Sequence, residues 1–397
     1  MAMQKLQPSI RFPHFTDDWK KETLGSLGKT VSGLTYSPKN VVDKGTLVLR
    51  SSNVKNRQIV LEDKVYVDTS RLKYNPVKKN DILICVRNGS KSLIGKNSFV
   101  TEECANEAFG AFMTVYRSKH NNFLFQNFDT DSYKRNVYRN LGARINSINK
   151  KELEKFQLFL PNAKEEKKIA DFLEVVDNLI SNLTKQKEKL EEYKKGVMQK
   201  IFSQEIRFKD KNGKDYPKWQ TQRIKDIADI NPKSNDLPNT FQYIDLESVE
   251  KGNLVKEKKI TKNTAPSRAR RLLRKKDILY QAVRPYQGNN LLFNKDQTSV
   301  ASTGYIQIRY PDCPDYLYHY IHYSTFLKKV LQRCTGSNYP AIKSSDFQEI
   351  DIQLPSLSEQ KKIALFLNHI DSISIKTTRE LQALKKWKKG LLQKMFV

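Results

Sequence analysis

Several features that define common protein classes are scarce or missing in this sequence. Four cysteines occur in 397 residues and none belongs to a CxxC pair, so we interpret them as reduced, mostly buried thiols. There is no signal peptide and no long apolar run that could span a membrane, which favours a soluble cytoplasmic protein. Without a GxGxxG motif or a P-loop, the chain is not expected to hold a nucleoside cofactor or ATP itself.

What the sequence has in excess is positive charge. Lys and Arg total 71 and Asp and Glu total 43, which gives a formal net charge of +28. A charge of this size points to a polyanionic partner. Nucleic acid is favoured over a membrane surface because the sequence contains no lipidation motif and no isolated basic amphipathic helix. The length and a hydrophobic content of 38% allow two or three domains with real cores.

One stretch of the sequence occurs twice. Residues 160–202 align with residues 354–396 at a constant offset of 194 and without a gap, and 18 of the 43 pairs are identical. Random pairs of average composition would share only about 3. The sequence therefore contains a genuine internal duplication.

Both copies carry the signals of a long helix. Each opens with Leu-Pro and a capping-box pattern, Asn162 with Glu165 and Ser356 with Glu359. Apolar residues then recur at spacings of three and four, which is typical of a coiled-coil seam. The predicted seam residues are Ile169, Phe172, Val176, Leu179, Leu183, Leu190 and Tyr193 in the first copy, and Ile363, Phe366, Ile370, Ile373, Leu384 and Trp387 in the second.

The natural partner of each predicted helix is the other helix. A helix of about 36 residues is roughly 54 Å long. A parallel pair would force the intervening chain to bridge that whole length, whereas an antiparallel pair needs only a compact domain at one end. Polar residues interrupt the seam at Gln186 and Glu380, where they either fix the register or form a solvated defect.

The segments that precede the two helices are related as well. Each begins with the tripeptide IRF, at Ile10 and at Ile206, and each contains a charged turn followed by a β-branched run. These runs, KKNDILICVR at 78–87 and RKKDILYQAVR at 274–284, are predicted strands. Between such fixed points the two segments diverge. The pattern indicates two copies of one scaffold that carry different loops.

Together these patterns predict an α+β protein with internal pseudo-twofold symmetry. Two similar α/β heads are expected to be separated by a pair of long antiparallel helices that form an intramolecular coiled coil. The expected segments are a first head at 1–159, a first helical spacer at 160–203, a second head at 204–353 and a second helical spacer at 354–397. Two basic heads on a rigid spacer could engage two sites on one DNA duplex.

With this organisation, the sequence resembles the specificity subunit of a type I restriction-modification enzyme. The resemblance covers the whole chain, and its most specific part is the pair of helices that begin with Leu-Pro and share KKIA and FL. It implies that each head is a target-recognition domain for one half of a bipartite gapped DNA sequence, and that the helices set the gap. The implied partners are double-stranded DNA, two methyltransferase subunits that modify adenine N6 and two motor-nuclease subunits. Those partners would use S-adenosylmethionine, ATP and Mg, and this chain would need no cofactor.

The chain itself is expected to be non-catalytic. The Asn-Pro pairs at Asn75 and Asn231 lack the second proline and the aromatic residue of an amino methyltransferase loop. The ExK pattern at Glu359 suits a helix cap better than a nuclease site. His319 and His322 lack further ligands at metal spacing, so we interpret them as ordinary helix surface and expect no metal site. The alternatives are a free-standing or architectural DNA-binding protein and an enzyme with an unfamiliar site.

Residues outside the seam leave alternatives open. Leu173 and Leu367 widen the apolar stripe of the helices, and they either pack under the heads or form the methyltransferase dock. Lys194, Lys195, Lys388 and Lys389 either contact DNA phosphates or belong to a solvated cationic face, and the solvated face is favoured.

Base readers are expected among the cations and amides of loops, supported by aromatic side chains. The candidates in the first head are Asn53, Lys55, Arg57, Arg87, Asn88, Lys91, Arg144 and Asn146. The candidates in the second head are Arg268, Arg270, Arg271, Arg274, Arg284, Tyr286, Gln287, Asn289, Asn290, Ser337, Asn338, Tyr339 and Lys343. The cluster from Arg268 to Arg274 suits phosphates better than bases, because an array of point charges carries no sequence information.

Overall fold

A computed structural model defines the fold in two compact units. The residues that it describes are 7–141, 146–234 and 236–397. Unit 1 comprises Met1–Thr184 and Arg379–Val397, and unit 2 comprises Lys185–Thr378. Each unit thus combines one head with half of each long helix. This division differs from the four segments expected from sequence, whose boundaries stay a prediction.

The head of unit 1 is built from short strands and short helices. Its strands are β1 (Lys20–Thr23), β2 (Lys29–Ser32), β3 (Val41–Val42), β4 (Thr46–Leu49), β5 (Val54–Lys55), β6 (Gln58–Ile59), β7 (Tyr66–Val67), β8 (Ile82–Cys85), β9 (Asn97–Phe99), β10 (Ala108–Phe109), β11 (Met113–Arg117) and β12 (Gln157–Leu160). Its helices are α1 (Leu24–Leu27), α2 (Asn121–Asn127), α3 (Asp131–Arg139) and α4 (Lys150–Glu154).

Two four-stranded sheets organise this head. The first has the order β2-β11-β8-β9 and is antiparallel throughout. The second has the order β10-β4-β7-β3 and includes one parallel pair, β10 with β4. All four residues of β8 are buried, as expected for a β-branched run at the centre of a sheet. The strand predicted within 78–87 is confirmed.

The core of unit 1 joins the head to its helix segments. Trp19 packs edge-on against Phe123 of α2, with ring centroids 5.8 Å apart, and against Phe396, at 6.2 Å. Leu173 is fully buried in the same cluster. It therefore packs under the head, the first of its two sequence-based interpretations.

Two long helices are shared between the units. They are α5 (Ala163–Phe202) and α10 (Leu357–Met395). The amide of Glu165 donates to Asn162 Oδ1 at 3.0 Å, which is the forward half of the predicted capping box. The reverse half is not made, because the Glu165 carboxylate accepts two hydrogen bonds from Arg11 at 2.6 and 2.7 Å. The IRF tripeptide is thereby fixed to the start of the helix.

The head of unit 2 repeats this construction. Its strands are β13 (Gln220–Arg223), β14 (Asp229–Ile230), β15 (Thr240–Ile244), β16 (Val249–Glu250), β17 (Asn253–Leu254), β18 (Lys258–Thr261), β19 (Ala269–Leu272), β20 (Ile278–Gln281), β21 (Leu291–Leu292), β22 (Ser299–Ser302), β23 (Tyr305–Arg309) and β24 (Asp351–Leu354). Its helices are α6 (Ile224–Ile227), α7 (Pro314–Tyr320), α8 (Ser324–Leu331) and α9 (Ser344–Gln348).

The first sheet of unit 2 matches that of unit 1, whereas the second sheet keeps the parallel pair but adds β19 beside it and lacks a counterpart of β3 among the described residues. The order β14-β23-β20-β21 is antiparallel, and the order β18-β15-β22-β19 contains the parallel pair β15 with β22. Strand β20 occupies the position of β8 and is also fully buried, which confirms the strand predicted within 274–284.

The core of unit 2 also uses equivalent residues. Trp219 lies edge-on to Tyr316 of α7 at 6.4 Å, and Phe202 at the end of α5 packs against the same tyrosine at 5.9 Å. Leu367 is fully buried, as Leu173 is in unit 1. The duplication therefore extends from the sequence into the packing of both cores.

Glu359 has a structural role at the start of α10. Its amide lies 3.4 Å from Ser356 Oγ, and its buried carboxylate accepts from Arg207 at 2.7 Å and from Trp219 Nε1 at 3.1 Å. The hydrogen bonds from Arg207 to this carboxylate raise the pKa of the guanidinium. The ExK pattern thus marks a helix start, although its glutamate binds the preceding segment rather than its own cap.

The long helices pair antiparallel within each unit. In unit 1, Phe172 early in α5 lies edge-on to Trp387 late in α10, with centroids 6.1 Å apart. In unit 2, Lys194 late in α5 forms an ion pair with Asp371 early in α10 at 2.5 Å. The direction expected from chain connectivity is therefore the observed one.

The buried stripe of the helices is shifted from the predicted seam. The seam residues Ile169, Val176, Ile363 and Ile370 are buried. The seam residues Leu179, Tyr193, Ile373 and Trp387 are 49%, 54%, 38% and 50% exposed, and Phe172, Leu183, Leu190, Phe366 and Leu384 are partly exposed. The shift has a physical cause, because each helix packs against its head as well as against the other helix.

Candidate nucleic-acid interface

Two predicted reading loops meet in unit 2. Arg284 follows β20, and its backbone amide donates to Pro340 O at 2.7 Å. A β-bridge between Val283 and Ala341 closes the same junction. The guanidinium carbon of Arg284 lies 4.1 Å from the ring centroid of Tyr339, which is 65% exposed. The fold thus places a cation and an aromatic ring from distant parts of the sequence face to face.

The backbone of Arg284 is strained at this junction. Its φ and ψ are both 55°, the left-handed region that non-glycine residues rarely adopt. A 3₁₀ turn, Pro285–Gln287, follows directly and presents Tyr286 with 52% of its surface exposed. The side chain is therefore aimed by a backbone that the surrounding contacts hold in place.

The amides of this loop mostly hold the loop together. Asn290 is 3% exposed, and its Oδ1 accepts from the amide of Gln281 at 2.9 Å. The side chain of Gln281 donates to Gln287 Oε1 at 2.7 Å, and Asn289 Oδ1 accepts from the amide of Lys251 at 3.1 Å. These amides support the loop, although they were candidate base readers.

The other predicted loop of unit 2 is largely open to solvent. Ser337, Asn338 and Lys343 are exposed around Tyr339. This surface therefore combines Arg284 and Tyr339 with several small polar donors and acceptors.

Unit 1 brings two predicted loops together at the equivalent place. Arg87 follows β8 and forms a β-bridge with Ser147, and the amide of Asn88 donates to Asn146 O at 3.2 Å. Asn146 Nδ2 returns a bond to Gly89 O at 2.9 Å. Lys91 is exposed beside them. Arg144, also a candidate, lies outside the described residues.

An aromatic residue that the sequence did not single out completes this site. Phe112 is 56% exposed, and the guanidinium carbon of Arg87 lies 5.6 Å from its ring centroid. The amide of Arg87 donates to Phe112 O at 3.1 Å, so the ring is brought in by the pairing of β8 with β11. In the sequence, the only sign of this role was an aromatic residue that follows Gly110 by two positions. Nothing in the neighbouring sequence connects Phe112 with Arg87.

Two candidates in unit 1 have structural roles instead. Asn53 is fully buried, and its Nδ2 donates to Val60 O and Asp63 O at 3.1 and 2.9 Å. Arg57 donates to Phe125 O at 2.6 Å while its guanidinium carbon lies 3.7 Å from the Phe125 centroid. Burial lowers the pKa of Arg57. These side chains are used within the fold, so the structure does not support them as base readers.

The remaining basic candidates lie elsewhere on the heads. Arg268, Arg270 and Arg274 are exposed on or next to β19, an outer strand of the second sheet of unit 2. Arg271 is half-buried, and burial lowers its pKa. Lys55 pairs with Glu62 at 2.5 Å on the surface of unit 1. An exposed row of arginines along a strand suits phosphates.

The lysines of the long helices are engaged within the protein. Lys388 is 5% exposed and pairs with Asp177 at 2.5 Å and with Asp129 at 3.3 Å. Lys194 pairs with Asp371 at 2.5 Å. For these two lysines both sequence-based interpretations, a phosphate contact and a solvated face, are therefore wrong. Lys195 and Lys389 are exposed, so both interpretations stay open for them.

Of the two histidines singled out in unit 2, His319 is internal and His322 is exposed. His319 is 1% exposed, lies 2.8 Å from Asn368 Oδ1 through its Nε2, and lies 4.0 Å from Asp371. Burial, together with the charge of Lys194, lowers the pKa of His319 to about 4. His322 contacts Asn290 at 3.3 Å. The expectation of an ordinary surface position is wrong for His319, because α7 presents this side chain to Asn368 of α10. His322, which follows α7, is exposed as expected.

A family model matches most of the chain. The model, described as type I restriction modification DNA specificity domain, matches residues 16–192 and 216–386, one match for each head and its following helix. The chain belongs to this family. The specificity-domain fold accounts for the mixed helices and sheets, the repeated heads and the long helix between them.

Relatives of the chain carry the same family name. It is 24% identical over 404 residues to the putative type I restriction enzyme MjaX specificity subunit of Methanocaldococcus jannaschii, covering 95% of this chain and 92% of that protein. It is 26% identical over 270 residues to the MjaVIII specificity subunit of the same organism, covering 63% of this chain and 64% of that relative. The EcoKI specificity subunit of Escherichia coli is 27% identical over 217 residues, covering 51% of this chain and 45% of that relative.

Solved structures share the specificity-subunit fold. The crystal structure of the type I restriction-modification S subunit from M. genitalium aligns with a TM-score of 0.62 and 16% identity, covering 98% of this chain and 99% of that chain.

Within the described residues, no helix is both long and apolar enough to cross a lipid bilayer. Over the same ranges, no three His, Cys, Asp or Glu side chains form a group that could hold a metal ion.

Proposed function

We propose that this chain directs a type I restriction-modification enzyme to a bipartite gapped DNA sequence, with one half-site for each head. The observation that carries the proposal is the repeated loop junction. Each head presents an arginine at the end of a central strand, beside an exposed aromatic ring from another part of the head. Because the loops around the two junctions differ, the heads would read different bases.

The net charge supports DNA as the ligand. A formal charge of +28 is well above what solubility requires, and it would favour contacts with many phosphates. The exposed arginines next to β19 would supply such contacts in unit 2. Phosphate contacts position a protein on DNA without selecting a sequence. The heads would therefore combine sequence-independent attachment with base reading at the loop junctions.

The long helices offer docking sites for partner subunits. Leu179 and Trp387 in unit 1, and Ile373 and Tyr193 in unit 2, are apolar or aromatic side chains that are between 38% and 54% exposed. The members of each pair, Leu179 with Ile373 and Tyr193 with Trp387, occupy equivalent positions in the two repeats. Two equivalent apolar surfaces suit two copies of one methyltransferase subunit.

The chemistry would belong to those partners. In the proposed complex, two methyltransferase subunits transfer a methyl group from S-adenosylmethionine to adenine N6. Two motor-nuclease subunits that use ATP and Mg complete the restriction enzyme. This chain contributes sequence recognition and no catalytic group.

The decisive experiment is a map of methylated adenines. The chain should be co-expressed with a type I methyltransferase subunit from the same genome, and N6-methyladenine should be mapped by single-molecule sequencing. A bipartite gapped motif that requires both proteins is expected. Methylation without this chain, or none from a folded complex, would contradict the proposal. Tight binding to a specific site by the chain alone would instead favour a free-standing DNA-binding protein.

The gap should follow the length of the helices. One heptad inserted into each helix, near Gln186 and near Glu380, adds about 10 Å at 1.5 Å per residue, or about three base pairs at 3.4 Å each. The motif should keep both half-sites while its gap lengthens. Altered half-sites would show that the helices do not act as the ruler.

A further inference from the structure

The side chain of Arg284 is held in place but has no acceptor. Among the residues that the structure describes, none accepts a hydrogen bond from its guanidinium, and its Nε is buried without a partner. The ring of Tyr339 lies against one face of the group. The guanidinium is a planar cation whose N–H donors are unused and whose orientation is fixed. It can therefore bind an external ligand that presents matching acceptors.

The backbone supports the same conclusion. Residue 284 adopts a left-handed conformation that glycine would accept without strain. An arginine in that position weakens the fold locally, and strained residues of this kind cluster at functional sites. The contact with Pro340 holds the conformation.

Arg87 in unit 1 repeats the essential features. It follows the equivalent central strand, lies over the exposed ring of Phe112, and donates no side-chain hydrogen bond within the described ranges of the chain. The two heads therefore share an arginine and an aromatic ring even though the rings come from different segments. Phe112 precedes β11, whereas Tyr339 follows α8.

We infer that Arg87 and Arg284 each recognise a guanine in the half-site of their own head. This inference rests on the proposed function. Guanine is the base whose major-groove edge presents two acceptors, O6 and N7, and a guanidinium can donate to both at once. Adenine presents an amino donor beside N7, and cytosine presents an amino donor, so both mismatch a group that only donates. The ring of Tyr339, 4.1 Å from Arg284, restricts the orientation of that guanidinium before DNA arrives, and the ring of Phe112, 5.6 Å from the exposed Arg87, restricts its partner less tightly.

The test uses the methylation map with single variants of the full complex. Arg284→Gly removes the guanidinium and relieves the backbone strain. Strain relief stabilises the folded state, whereas glycine makes the unfolded chain more flexible, so the two effects oppose each other. The thermal midpoint of unfolding should therefore stay within about 3 °C of wild type. At one guanine position of one half-site, other bases should become acceptable. The preference of the complex for guanine at that position should fall from about 5- to 150-fold toward none. Arg87→Ala should do the same in the other half-site only.

Arg274→Ala is the matched control on the exposed row next to β19. Its expected effect is weaker methylation of all sites with an unchanged motif, because a lost phosphate contact weakens binding uniformly. If Arg284→Gly gave that same uniform loss, or left the guanine fully required, the inference would be overturned. A wild-type complex that yields no bipartite motif would instead overturn the proposed function.

Discussion

The two units connect head and helices with the same geometry but with different charges. In unit 1, Lys388 lies between Asp129 and Asp177, and Arg57 is 3.8 Å from Asp129. In unit 2, the equivalent lysine, Lys194, pairs with Asp371 and with no second carboxylate of the described residues. We call these clusters joint 1 and joint 2. Joint 1 consists of groups that are charged at neutral pH, whereas joint 2 also includes His319, 4.0 Å from Asp371, whose lowered pKa leaves it uncharged there.

Local differences in sequence explain the divergence. Asp129 follows α2 where His322 follows α7, and Gln126 stands where His319 does. Arg57 has no counterpart in unit 2, because the matching hairpin carries Gly252, where a Cβ would lie 2.6 Å from the Tyr318 hydroxyl. Duplication therefore preserved the scaffold while the charges at the joints changed together.

The largest difference in stability between the two joints is expected when the lysine of each joint is replaced. Lys388→Met should destabilise the protein by about 3 kcal/mol, because it leaves two aspartates near a largely buried site. Lys194→Met should cost about 1 kcal/mol, since that lysine and its single partner are more exposed. Urea unfolding of both variants measures the two values. Equal losses would mean that the joints are energetically alike.

Acid should weaken joint 2 before joint 1. The pKa of His319 is about 4 in the fold and 6.5 when unfolded, so the unfolded chain binds the proton first and stability falls as the pH drops from 6.5 toward 4. The loss between pH 7 and pH 5 should be about 2 kcal/mol. In joint 1, despite the opposing effect of burial, Arg57 and Lys388 lower the pKa of Asp129 below 3.8. The stabilisation from Asp129 is therefore lost only in more acidic solution.

Hydrogen exchange at pH 7 and pH 5 can locate this effect. Amides of unit 2 should lose protection relative to those of unit 1 after correction for the intrinsic rates. His319→Gln, which copies the residue at position 126, should remove the difference. Loss of protection in unit 1 first would contradict the assignment.

Exposed positions on the helices should affect assembly more than stability. Leu179→Ser and Ile373→Ser change equivalent, roughly half-exposed residues, so each should cost less than about 1 kcal/mol. Each variant should lose one of two methyltransferase subunits in native mass spectrometry. The double variant should lose both. Retention of both subunits by the double variant would place the docking surface elsewhere.

The smallest effect is expected from moving the chain termini. The amide of Ile10 donates to Lys394 O at 2.9 Å, which repeats the bond from Ile206 to Lys200 O at 3.1 Å inside the chain. A permutant that joins Val397 to residue 1 and opens between Gln204 and Glu205 should unfold within about 1 kcal/mol of wild type. It should also direct methylation to the same motif. A different motif would show that the chain connection affects recognition.

Sequence periodicity predicted most of the scaffold. The duplication, both long helices and the central strands that contain Ile82 and Ile278 follow from local patterns, and the antiparallel direction follows from chain connectivity. The exposure of the seam residue Leu179 was not predicted, and the burial of Leu173 was only one of two alternatives, because both depend on which side of the helix the head covers. Heptad spacing indicates the side of a helix that packs against one other helix. It does not show that a second partner, here the head, covers another side.

The candidate site was predictable only in part. Arg87 and Arg284 follow recognisable strands, and Tyr339 lies in a polar loop. Phe112 reaches Arg87 only through strand pairing, so its role depends on contacts between distant segments. Arg57 resembles a reader in sequence, yet the stack on Phe125 buries it. Loop composition shows which groups are available and does not show which ones the fold uses.

The most direct test of the account is to make the two heads identical. Residues 206–353 would be replaced by a second copy of residues 10–159, and methylated adenines would be mapped with the same methyltransferase subunit. Two identical heads should direct methylation to an inverted repeat of one original half-site with an unchanged gap. The reciprocal replacement should give the inverted repeat of the other half-site. A motif that keeps both original half-sites would contradict the claim that each head reads its own half.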